Sequence, residues 1–135
     1  MKTPLPSFVR DLAALVAALL ACPISVFGGA NLGCVGRPGF QGDCAVTMVF
    51  ISPLILLAGG VVAGLATKGW TGLLFTLIGA VAGMFVILAI SNLAGRPVPP
   101  DIFTGVIATV WFSVPITIGY AIGRVVARLF ATRTS

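Results

Sequence analysis

The sequence predicts an all-α membrane protein built as a bundle of four transmembrane helices, and three observations predict it. Across 135 residues, 59% are hydrophobic and only 8% charged, with a mean hydropathy of +1.16, whereas about a quarter of a soluble domain's residues are charged. Four uncharged apolar runs approach the roughly 20 residues that a helix needs to cross a hydrocarbon core about 30 Å thick. The links between the runs are short, which leaves one compact unit, residues 1–135, and makes each consecutive pair an expected antiparallel hairpin.

The first run covers 12–29, Leu12 to Gly29, just after Arg10 and Asp11. Its basic start and the stretch Leu19-Leu20-Ala21-Cys22 resemble a lipoprotein signal. Pro23 follows the candidate cysteine, however, and the apolar run continues through Ile24, Val26 and Phe27, so the segment reads as a retained helix. The second run covers 45–67 and ends in the turn Thr67-Lys68-Gly69-Trp70; the third covers 71–93. A Pro-rich turn, Gly95-Arg96-Pro97-Val98-Pro99-Pro100-Asp101, leads to the fourth, 102–123. No Asp, Lys or Arg falls inside any of these boundaries.

Lysine and arginine are retained on the cytoplasmic side during insertion. Lys2, Arg10, Lys68, Arg124, Arg128 and Arg133 fall on the side shared by both termini, against Arg37 and Arg96 opposite. A multi-pass protein of a bacterial inner membrane with both termini cytoplasmic is therefore expected. The basic end beyond Gly123 is read as a general anchor near anionic headgroups rather than a specific lipid site. Trp70 beside Lys68 fits an interfacial anchor.

Cys34 and Cys44 flank a Gly-rich loop on the expected periplasmic side, where a disulfide persists. Closing so short a loop stabilises by roughly 2 to 3 kcal/mol in the chain-entropy model. In span count and orientation the chain resembles the four-helix quinone-linked enzymes that generate disulfides. Those relay electrons through a Cys-x-x-Cys pair and a second pair, and neither is present, so a structural staple is preferred to a thiol-redox role. Cys22 is read as a small packing residue.

Asn31-Leu32, Gly36-Arg37-Pro38 and Asp43 recur in order as Asn92-Leu93, Gly95-Arg96-Pro97 and Asp101. Ser52-Pro53 and Ser113-Val114-Pro115 follow, and Gly60/Gly64 stand 59 residues before Gly119/Gly123. The chain thus reads as two tandem hairpins, residues 1–67 and 68–135, entering the membrane in the same direction about an axis along its normal. The competing reading is that Gly-Arg-Pro is simply a convenient helix stop.

Small residues drive helix association in lipid by letting backbones approach. The expected packing set is Gly60, Gly64, Gly79, Gly83, Gly119 and Gly123, with alanines on the first helix. Thr109, Ser113 and Thr117 form a polar stripe at four-residue spacing, expected to bond between helices or back to the preceding turn, and alternatively to line a path for a small solute. Trp111, ten residues beyond Asp101, lies about 15 Å deep at 1.5 Å per residue. It is read as a packing or partner contact rather than a ligand contact.

Function follows by elimination. The chain lacks His and Glu, and its only carboxylates are Asp11, Asp43 and Asp101. That removes His-ligated pigments, zinc hydrolysis and Ser-His-Asp chemistry, so no catalytic residue, cofactor or metal is expected, and no nucleic-acid partner. Small multidrug transporters resemble the chain in size and four-span layout but depend on a Glu in the first helix, which is absent here. The expectation is a non-catalytic membrane subunit that stabilises a larger complex and docks through Arg37, Arg96 and Trp111. The alternative is a homo-oligomeric channel or facilitator.

Overall fold

The computed structural model describes residues 6–34, 42–93, 95 and 102–134, with side chains over 6–27, 50–90, 92, 93, 95 and 105–134. The described chain is all-helical: α1 Ser7–Cys34, α2 Gly42–Ala66, α3 Trp70–Leu93 and α4 Ile102–Arg133. Three helices contain stretches long and apolar enough to cross a membrane, Ser7–Phe27, Trp70–Ile90 and Gly105–Arg133, and α2 adds a shorter apolar stretch, Phe50–Ala66.

All four helices exceed the expected boundaries: α2 begins at Gly42 rather than 45 and α3 at Trp70 rather than 71, α1 runs on to Cys34 rather than 29, and large extensions lie at the start of α1 and the end of α4. α1 starts at Ser7 rather than 12, with the Pro6 carbonyl accepting the Val9 and Arg10 amides at 3.0 and 3.4 Å. Arg10 and Asp11 thereby become helical. α4 continues to Arg133 rather than stopping at 123, carrying Arg124 and Arg128 with it. The reason is the same at both ends: apolar runs mark what dissolves in lipid, while a helix needs only its i→i−4 backbone bonds and passes through charged turns. Gly69 and Gly95 end α2 and α3 with φ of +92° and +73°, a left-handed conformation that L side chains resist.

Prolines 23, 53 and 115 lie inside α1, α2 and α4 without ending them. Pro23 has no amide to offer the Leu19 carbonyl four residues earlier. Gly83 of α3 closes on that carbonyl, where an added methyl would stand 2.9 Å away. One turn on, the buried Ser25 hydroxyl donates to the Cys22 carbonyl at 2.7 Å.

Helix packing does not follow chain order. α1 lies along both α2 and α3, and α2 lies along α4; α3 and α4 touch more lightly, and α2 and α3 least of these pairs. Around the bundle the order is α1, α2, α4, α3. This corrects the expectation that each consecutive pair forms a packed hairpin, because α2 and α3, joined by a short turn, stand on a diagonal. It also means that α1/α2 and α3/α4 are not equivalently packed halves.

The tightest seams join parallel helices through the expected glycines. A methyl group at Gly60 would collide with the Ile116 carbonyl, and one at Gly64 with that of Tyr120; at Gly119 and Gly123 it would strike the carbonyls of Leu57 and Val61. Gly79 lies equally close to the Leu15 carbonyl, joining α3 to α1. Between α1 and α2, a methyl at Gly59 would stand 2.6 Å from Ala21 Cβ. Ala21, Cys22, Leu56, Ala80, Phe112 and Ile116 fill the middle of the bundle, and Ala14, Ala63 and Tyr120 form a second cluster nearer the turn end. The Cys22 thiol is within 3.5 Å of the Ala80 carbonyl, consistent with the packing role read from the sequence.

Candidate functional site

The turn after α2 is short, and Gly69 reverses it, so its backbone groups must find partners outside a helix. α4 supplies them. Tyr120, 6% exposed, reaches under the turn and donates its hydroxyl to the Gly69 carbonyl at 2.9 Å. It accepts from the Thr67 hydroxyl at 2.8 Å. The Thr67 hydroxyl is also within donating distance of the Ala63 carbonyl, at 2.9 Å, so its one proton is shared between the two acceptors; that carbonyl accepts the Thr67 amide as well, at 3.2 Å. One turn further along α4, the half-buried Arg124 guanidinium donates to the Thr67 carbonyl. Gly72 permits this assembly, because a side chain there would meet Thr67 and stand 2.6 Å from the Tyr120 hydroxyl.

Anchoring the turn on α4 gathers the cations of three elements. Arg10 of α1, Lys68 of the turn, and Arg124 and Arg128 of α4 line a cleft of about 410 Å³. Thr67 adds a polar group, and Leu65, Ala66, Ala127 and Ala131 give an apolar wall. Among the described residues, no carboxylate lines it. Asp11, next to Arg10 in sequence, is 8% exposed and is not among the lining residues. Trp70, at the same end, is 82% exposed, the amphipathic ring expected where hydrocarbon meets headgroups.

The residues singled out in the sequence are distributed differently. The packing glycines sit at helix seams. Thr109 is exposed and donates back to the Gly105 carbonyl at 2.8 Å, Thr117 is exposed and Ser113 half-buried, so the stripe runs largely along the outside of α4. Trp111 is 38% exposed beside the buried Phe112. Arg37, Arg96 and the side chains of Cys34 and Cys44 lie outside the described residues. Among the described residues, no three His, Cys, Asp or Glu side chains gather as a metal site would require.

Sequence reasoning missed Tyr120, the bonding of Thr67 to it and the convergence of the cations. The available signal was Tyr120 itself, the single tyrosine of the chain, placed between two packing glycines and hence on a face turned toward α2. Comparison with protein-family models, curated proteins and solved structures yields no match.

Proposed function

We propose that this chain is a non-catalytic integral membrane subunit that crosses the bilayer four times and packs into a larger membrane assembly. One observation carries the reading. From Gly105 to Trp111, every residue of α4 is exposed except Ala108, which is half-buried. Val106, Ile107 and Val110 are each at least half exposed, and a methyl at Gly105 would meet nothing within 4 Å. A stretch carrying glycine, threonine and tryptophan, and largely uncovered by the described residues of its own chain, offers close approach, a hydroxyl and a large apolar ring to another helix. The rest of the bundle supports this by being filled: Leu56, Ile116 and Cys22 are fully buried around its middle.

In this reading both termini lie in the cytoplasm of a bacterial cell, and the Arg37 and Arg96 turns dock on the opposite side together with Trp111. Extraction in a mild detergent, followed by mass spectrometry of everything that co-migrates in stoichiometric amount, tests it. A fixed set of larger subunits is the expected result. Recovery of this chain alone as a defined oligomer would overturn it in favour of a homo-oligomeric channel or facilitator. The specific support for that second reading is the outward-facing hydroxyls of Thr109 and Thr117, which a ring of copies would turn toward a shared axis.

A further inference from the structure

We infer that the cleft between α1, α4 and the α2–α3 turn binds a phosphate-bearing anion, and that its ligand in the membrane is the headgroup of an anionic phospholipid. Four cations from three separate elements converge on it, and among the described residues no carboxylate shares its wall. Like charges brought together at a bundle end repel one another unless an anion sits among them. The fold nevertheless holds them there, with Arg124 fixed through the Thr67 carbonyl and the turn fixed through Tyr120.

Depth selects a lipid over a free ion. Arg124 stands 19 residues beyond Gly105 on one continuous helix, about 28 Å at 1.5 Å per residue, close to the thickness of a hydrocarbon core. The guanidinium is therefore at headgroup level when Gly105 is at the opposite boundary, and the exposed Trp70 marks the same level. Leu65 and Ala66, which precede Thr67 on α2, give the cleft an apolar wall on its membrane side, where an acyl chain begins. Arginine forks pair with phosphate oxygens in a bidentate manner, and basic clefts between transmembrane helices are suited to phospholipid headgroups. This goes beyond a positive-inside anchor, which needs charge on one side but no enclosed site.

The test uses the full chain, delipidated in a non-ionic detergent, with native mass spectrometry counting the molecules retained. The probes are dioctanoyl phosphatidylglycerol, dioctanoyl phosphatidylcholine and inorganic phosphate. Phosphatidylglycerol is expected to bind saturably at one site, with the zwitterionic lipid roughly tenfold weaker and millimolar phosphate unable to displace it. Arg10→Gln with Arg128→Gln, which leaves Arg124 and its turn contact in place, is expected to weaken phosphatidylglycerol binding roughly 30-fold, as removal of two interfacial charges implies. Should that double variant fail to fold, Lys68→Gln, in an exposed turn position, is expected to weaken it several-fold. Equal retention of the two lipids, or unchanged binding by a folded variant, would overturn the site. Displacement by equimolar phosphate would overturn the lipid assignment.

Discussion

Gly60 and Gly119 occupy reciprocal positions across the α2–α4 seam. Gly60 lies against the Ile116 carbonyl and Gly119 against that of Leu57, and each residue of one contact maps onto the other by the same step of 59 along the chain. Gly64 with Tyr120 and Gly123 with Val61 repeat the relation. The two helices pair in register at the 59-residue offset that separates Gly60 and Gly64 from Gly119 and Gly123, although the helices around them are packed unequally.

The seam has no room for a side chain. Gly60→Ala or Gly119→Ala is expected to destabilise the protein by about 1–3 kcal/mol, the usual range for overpacking, read as a lower denaturant midpoint in mixed micelles. Gly105→Ala, facing open space, is expected to leave the midpoint within experimental error. Equal behaviour of the three variants would show that backbone contact does not hold α2 to α4.

Removal of one hydroxyl tests the turn. Tyr120→Phe keeps the buried ring but strips the Gly69 carbonyl of its donor and leaves the Thr67 hydroxyl with the Ala63 carbonyl alone. A loss of about 1–3 kcal/mol is expected for polar groups so deprived. The same unfolding assay reads it, and a loss near zero would mean that the turn is held by Arg124 alone.

Cysteine counting tests the outer staple. The chain has three cysteines, and the Cys34–Cys44 bridge predicts that the denatured, unreduced protein takes up one maleimide, at Cys22, and three after reduction. Uptake of three before reduction would refute the bridge and with it the stabilisation assigned to that loop.

Orientation has its own check. Green fluorescent protein and alkaline phosphatase fused after Ser135 are expected to give a fluorescent and an inactive product respectively, as a cytoplasmic C-terminus requires. The opposite pair of results would invert the topology and place the basic cleft on the outer leaflet.

The sequence made legible those features that depend on composition along one helix. Four helices, their glycine seams and the back-bonding of Thr109 to the carbonyl of Gly105 all follow from spacing within a single element. What depended on a second element was hidden. Asp11 and Arg10 ended the first apolar run, although neither interrupts backbone hydrogen bonding, so the start of α1 was placed a turn too late. Short connections implied adjacency, yet a turn constrains only the ends of α2 and α3 and says nothing of which neighbour each then follows. The cleft was illegible for the same reason, since Arg10, Lys68 and Arg128 are scattered in the chain and meet where α1 packs on α2 and α3 and where Tyr120 and Arg124 hold the turn to α4.

The diagonal placement of α3 bears on how the protein is made. α2 finds its closest fit in α4, the last of the four helices to leave the ribosome, so Gly60 and Gly64 wait unmatched through the synthesis of an entire intervening helix. During that interval the groove they form is open to any other membrane helix with small residues at four-residue spacing. Biogenesis therefore favours either rapid insertion of the second half or an escort that occupies the groove meanwhile, and a nascent chain arrested before α4 is the species most exposed to mispairing and to membrane proteases.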